Sequence, residues 1–154
     1  MKIEDYIRFI ICGFVGLLTL ISCSDDSAHP SFIEGTWLLD SIVINGQEDA
    51  SYSGEWIWKF EEDVVEIDKI NEVMHTREPH LGTWSIDDKV MTLLFNHSDN
   101  QYAPGEGPYA PPAEIYIVSP VTELKIDRSG SSRLILEGVE SESGNIIEYR
   151  LRKQ

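Results

Sequence analysis

The chain has 154 residues, of which 42% are hydrophobic and 25% charged, a composition that suits one globular domain with a single core once a targeting segment is set aside. Lys and Arg number 12 against 27 Asp and Glu, for a net charge of -15, and Lys2 and Arg8 offset Glu4 and Asp5, so the acidic excess is carried by the chain beyond residue 8. A surface this acidic repels phosphate backbones and anionic headgroups, which excludes nucleic acid as a partner; its first use is solubility.

The chain opens on an address. Residues 9–21, FIICGFVGLLTLI, carry no charge; this run is short of the ~20 apolar residues that span a bilayer and has the length of a signal-peptide core. Cys12 and Cys23 are the only cysteines, so nothing beyond residue 23 forms an intramolecular disulfide or a thiolate metal site, and stability must come from packing. Leu20-Ile21-Ser22-Cys23 resembles the lipobox of bacterial lipoproteins, in which the chain is cut before the cysteine and its thiol acylated. That resemblance implies a signal peptide over 1–22, a lipidated Cys23 and attachment to a membrane of the cell envelope, with the outer membrane the expected one. Ser24-Asp25-Asp26 resembles the acidic signal of surface-exposed Bacteroidetes lipoproteins. Residues 23–33 are expected to form the lipidated cysteine and an acidic tether, whose 24–31 stretch reaches at most roughly 28 Å at ~3.5 Å per residue.

Beyond the tether, apolar residues alternate or fall in short runs between turn signals, which predicts an all-β domain over 34–154. The first strand is expected over 36–44, ending at the turn dipeptide Asn45-Gly46. Next come 56–60, with Trp56, Trp58 and Phe60 on one face, then 64–70 after a charged turn at Glu61, Glu62 and Asp63. Strands at 81–86 and 90–95 flank a hairpin turn at Asp87-Asp88-Lys89, and the series closes with 115–118, 123–126, 133–137 and 146–152. Pro120 is expected to interrupt its strand. Meander order and even spacing point to an up-and-down antiparallel barrel of about eight strands or to a sandwich. Residues 96–113, NHSDNQYAPGEGPYAPPA, make a connection long enough to be functional or mobile.

Gly35-Thr36-Trp37 and Gly82-Thr83-Trp84 echo each other, each with a glycine at a close approach and a tryptophan to plug a barrel end. With the closing run Ile147-Glu148-Tyr149-Arg150-Leu151-Arg152, they resemble the small lipocalin-like lipoproteins of Bacteroidetes over residues 32–154. The resemblance implies a barrel closed at one end by Trp37, with Arg150 or Arg152 packed over the indole.

No hydrolase elbow, zinc-protease helix, phosphate loop or Cys-x-x-Cys occurs, so no catalytic residue and no cofactor is named. His29, His75, His80 and His97 fall in linker or turn positions, and His75 and His80 are the pair that could meet across a turn; no metal site is assigned. The Trp56, Trp58, Phe60 stripe either fills the barrel or lines an apolar ligand pocket. Tyr102 and Tyr109 in the long loop, with Tyr116 beyond it, either stack on a ligand or pack back on the barrel. These features support two expectations: a non-catalytic envelope protein binding a small apolar or amphipathic ligand or a glycan at a barrel mouth, or an interaction subunit docking another envelope protein through the 96–113 loop.

Overall fold

The structure, a computed structural model, describes residues 31–71 and 73–154. The signal segment, Cys23, His29 and the tether up to residue 30 lie outside the described residues. Among the described residues, nine strands run in chain order: β1 (Gly35–Ile44), β2 (Gln47–Glu48), β3 (Trp56–Glu61), β4 (Val64–Asn71), β5 (Thr76–Asp87), β6 (Val90–Leu94), β7 (Val121–Ser129), β8 (Arg133–Val139) and β9 (Ile146–Lys153). β2 pairs antiparallel with β1 alone, β1 pairs with β3, each strand from β3 on pairs with the next, and β9 returns to β1, so β1 and β3 to β9 close into an eight-stranded barrel. Among the described residues, closure confines the open edges to the two-residue β2 and the first half of β5, which limits the unpaired rows that invite aggregation.

The strands form where residue types alternate. Trp56, Trp58 and Phe60 face the interior of β3, and Leu134, Leu136 and Gly138 do so on β8. β1 does not alternate strictly because it carries a bulge between Leu39 and Ser41. The extra residue, Asp40, shifts the inward parity from Trp37 and Leu39 to Ile42. Asp40 is left outside and pairs with Arg152 at 3.1 Å. The β1–β2 hairpin turns on Asn45 and Gly46, both with positive φ (49° and 82°), the type I′ geometry that matches strand twist.

Two predicted elements differ. β5 begins at Thr76 rather than near residue 81, running through Pro79. This is tolerated because β6 joins β5 only from Thr83, so the first half of β5 has β4 as its sole strand neighbour. Residues 115–118 do not form a strand: Ala113–Ile115 is a 3₁₀ turn, and Tyr116 comes after it with φ 67°. Pro111 and Pro112 supply no N–H to a ladder, and a left-handed residue breaks the pleat.

The core is one contiguous cluster. Trp37, Trp58, Phe60, Phe95 and Met91 are fully buried, and Trp56 and Trp84 nearly so. Each such side chain contributes about 1.5–3 kcal/mol by leaving water. Trp58 packs on Tyr149 (ring centroids 5.4 Å) and Phe60 on Trp84 (5.0 Å, edge to face). Ile33, expected in the tether, is also fully buried and accepts the Trp37 Nε1 hydrogen bond at 2.6 Å. The folded unit therefore includes it.

Candidate ligand site at the barrel mouth

The two barrel ends are built differently. At the end where the chain enters, Gly35 holds φ 117°, and Lys153 Cε lies 3.2 Å from where its Cβ would be. Lys153 Nζ donates to the Glu34 carbonyl at 2.8 Å and sits 5.1 Å from the centroid of the Trp37 ring. The cation over Trp37 is thus Lys153, not Arg150 or Arg152. Register explains the correction: Trp37 opposes Lys153 directly, and Lys153 shares the inward parity of Tyr149 and Leu151. Arg150 and Arg152 take the opposite parity and pair outside with Glu148 (2.6 Å) and Asp40. Lys153→Ala is expected to cost about 1 kcal/mol in chemical denaturation, while Arg150→Ala and Arg152→Ala stay within about 0.5 kcal/mol. The reverse order would restore an arginine as the closing cation.

At the opposite end, the mouth, the β6–β7 connection folds across the opening. Asp99 organises its tip, with Oδ1 accepting from the Gln101 and Tyr102 backbone N–H groups at 2.7 and 2.8 Å. These bonds hold the Asp99 carboxyl below its ordinary range. Tyr109 O–H donates to Asp99 Oδ2 at 3.3 Å and its ring meets His97 edge-on. Tyr102 packs over Gly107, whose φ of 57° and missing Cβ both accommodate the ring.

Further along, the connection becomes a strap. Ile115 and Ile117 enter the core, Tyr149 O–H donates to the Ile115 carbonyl at 2.8 Å, and Lys69 pairs with Glu114. His80 Nδ1–H donates to the Ala110 carbonyl at 2.8 Å, with its ring against Trp56. His75 sits instead on the exposed turn between β4 and β5, so the structure gives the two histidines separate surroundings.

Tyr116 latches the strap to the β2–β3 loop, donating to Asp49 Oδ2 at 2.8 Å. Asp49 Oδ1 accepts from the Ser51 N–H and hydroxyl at 2.9 and 2.6 Å. Ser51 foremost, and Tyr116 after it, hold the Asp49 carboxyl below its ordinary value, while the same contact raises Tyr116. A depressed carboxyl contributes its stability above its unfolded range and loses it as pH falls through the folded value, so the latch is intact at neutral pH.

Beside the latch lies a cleft of about 510 Å³. The β7–β8 ladder runs from Ser129 to Lys125 with a bulge between Arg128 and Ile126, and above it the mouth-side ends of both strands form the cleft walls with the strap. Tyr116, Val118, Val121 and Val139 give it an apolar body; Val121 is 53% and Val139 68% exposed. Glu123, Glu137 and Glu140 rim it against a single cation, Lys125. Of the residues expected to bind ligand, Tyr116 alone lines this cleft. Trp56, Trp58 and Phe60 are core, and Tyr102 and Tyr109 order the loop. Val121 and Val139 escape sequence inspection because each sits at the mouth-side end of a separate strand, on an outward face that also carries charged residues; only the barrel sets them beside Tyr116.

No family model and no curated protein matches this sequence. Among solved structures, the chain is similar to a lipocalin-like protein from Bacteroides uniformis ATCC 8492, at 13% identity and TM-score 0.56, over 80% of this chain and 99% of that one. The fold is a lipocalin-like β-barrel. An uncharacterized protein from Bacteroides eggerthii DSM 20697 is similar too, at 13% identity and TM-score 0.52, over 79% and 98% of the two chains. The lipocalin-like barrel accounts for the meander order of the strands. At this identity the likeness extends to architecture, and ligand and partner must be argued from this chain's own residues.

Proposed function

We propose that this lipocalin-like barrel is a non-catalytic binding protein of the cell envelope, tethered through lipid on Cys23, that takes a small amphipathic ligand in the mouth cleft. The observation that carries the reading is the cleft itself, whose volume falls in the ~300–1,000 Å³ range of small-molecule sites and which joins an apolar wall to a few polar groups. Three glutamates against one lysine, on a chain of net charge -15, favour a ligand with a neutral or cationic head and disfavour an anion. The packed interior supports a site at the rim rather than in the barrel axis.

Titration of the protein with decylammonium, monitored by NMR at Tyr116 and Val121, is expected to shift both residues, and decanoate to shift neither. Val139→Arg places a bulky cation in the cleft at an exposed position and is expected to weaken the response about tenfold or more, leaving the fold intact. Equal titrations of variant and wild type would refute the site. A second reading, docking of an envelope protein on the 96–113 loop, draws support from the preorganisation of that loop around Asp99, and on that reading Val139→Arg leaves binding unchanged.

A further inference from the structure

On the outside of the barrel, β4 carries Glu66 and Asp68 two residues apart, which places both carboxyls on one face of the strand, opposite the buried Val65 and Ile67. Asp68 is only 3% exposed despite its outward position. Ile57 of β3 and Pro79 of β5 flank it in register, and Arg77 of β5 closes over it, with Nη1 3.2 Å from Oδ2. Its other oxygen, Oδ1, is buried without a hydrogen-bond partner. Glu66, half-buried, lies between Lys59 of β3 and Leu81 of β5. Lys59 is itself engaged with Glu61 at 3.1 Å. The charged groups on this face are therefore Lys59 and Glu61 from β3, Arg77 from β5, and the two carboxyls.

A buried carboxylate oxygen requires a donor, and neighbouring carboxylates do not both ionise readily. Arg77 Nη1 meets Oδ2 and Lys59 is engaged with Glu61, while Glu66 is the carboxyl on this face that lies within hydrogen-bonding reach of Asp68 and can offer Oδ1 an O–H when protonated. We propose that Glu66 and Asp68 hold one proton between them in the folded protein, Glu66 donating it to Asp68 Oδ1, and that this pair makes the β3–β4–β5 face a pH-sensitive element of the barrel. Burial first, and then the charge and hydrogen bonding of Asp68, lift the Glu66 carboxyl above its ordinary value of 4.5, while Lys59 and Arg77 pull the other way. With the folded value raised, the native state holds the proton more tightly than the unfolded chain. The pair's stabilisation is then full below the unfolded carboxylate range and is lost as pH rises through the folded value.

The test is a carboxyl ¹³C NMR titration of the full-length protein, with denaturant midpoints recorded across the same pH range for wild type and Glu66→Gln. Glu66 is expected to titrate above the ordinary value of a glutamate, the direction that its burial and the Asp68 carboxyl impose. The glutamine keeps a donor for Oδ1 at every pH, so its midpoint is expected to fall less than that of wild type on passing from acid to neutral pH. Titration of Glu66 at or below that ordinary value, or the same pH slope in both proteins, would overturn the proposal.

Discussion

Trp58→Ala is expected to destabilise the protein by about 3–5 kcal/mol, the cost of removing a fully buried indole whose neighbours cannot collapse into the space. The ring packs against Phe60 and Tyr149 in the barrel interior, so both transfer energy and packing contacts are lost. Trp58→Phe should cost far less: it keeps an aromatic ring and deletes the indole N–H, a buried donor without a hydrogen-bond partner. Urea unfolding with unchanged m-values would measure both. A cost under about 1 kcal/mol for the alanine variant would mean that Trp58 borders open space, which would return the stripe on β3 to the ligand pocket.

Gly82→Ala is the second large effect. An alanine Cβ there would lie 2.7 Å from the Leu94 carbonyl oxygen and 3.0 Å from Phe95 Cδ1. The oxygen is backbone, and Leu94 pairs with Thr83 in the β5–β6 ladder, so relief requires moving the sheet itself. Overpacking of this kind costs about 1–3 kcal/mol, and the rigid neighbour argues for the upper end. Calorimetric melting would register it; an unchanged melting temperature would show that β5 and β6 separate at little cost. The glycine of the second Gly-Thr-Trp is thus a close-approach residue, and Trp84, packed on Phe60, is part of the fill at the entry end.

Where a single strand buries one face and turns on dedicated residues, its sequence is readable. β3 shows this in the alternation of Trp56, Trp58 and Phe60, and the β1 hairpin in Asn45-Gly46. The failures have definite physical causes. Ile115 and Ile117 alternate like strand residues, but the backbone after the prolines turns, and the same two side chains serve the core from a strap. The register that aligns Lys153 with Trp37 depends on a barrel closure linking residues more than a hundred positions apart, although the alternation Ile147, Tyr149, Leu151, Lys153 already pointed the lysine inward. The cleft was hidden for the same reason, since Tyr116, Val121 and Val139 belong to three segments that only the barrel assembles. The buried Asp68 has no sequence signal at all: it occupies an outward strand position, and its burial comes from Arg77 and Pro79 on the neighbouring strand.

The proposal of a lipid-tethered barrel carrying a small ligand meets its sharpest test in mass spectrometry of the full-length protein extracted from its natural host. Spectra would be taken under native and denaturing conditions, for wild type and Val139→Arg. The account predicts acyl mass on Cys23 in every spectrum, and a small-molecule adduct present only in native wild type. A chain that retains residues 1–22 without acylation, or native spectra of wild type and variant that are both free of adduct, would contradict it.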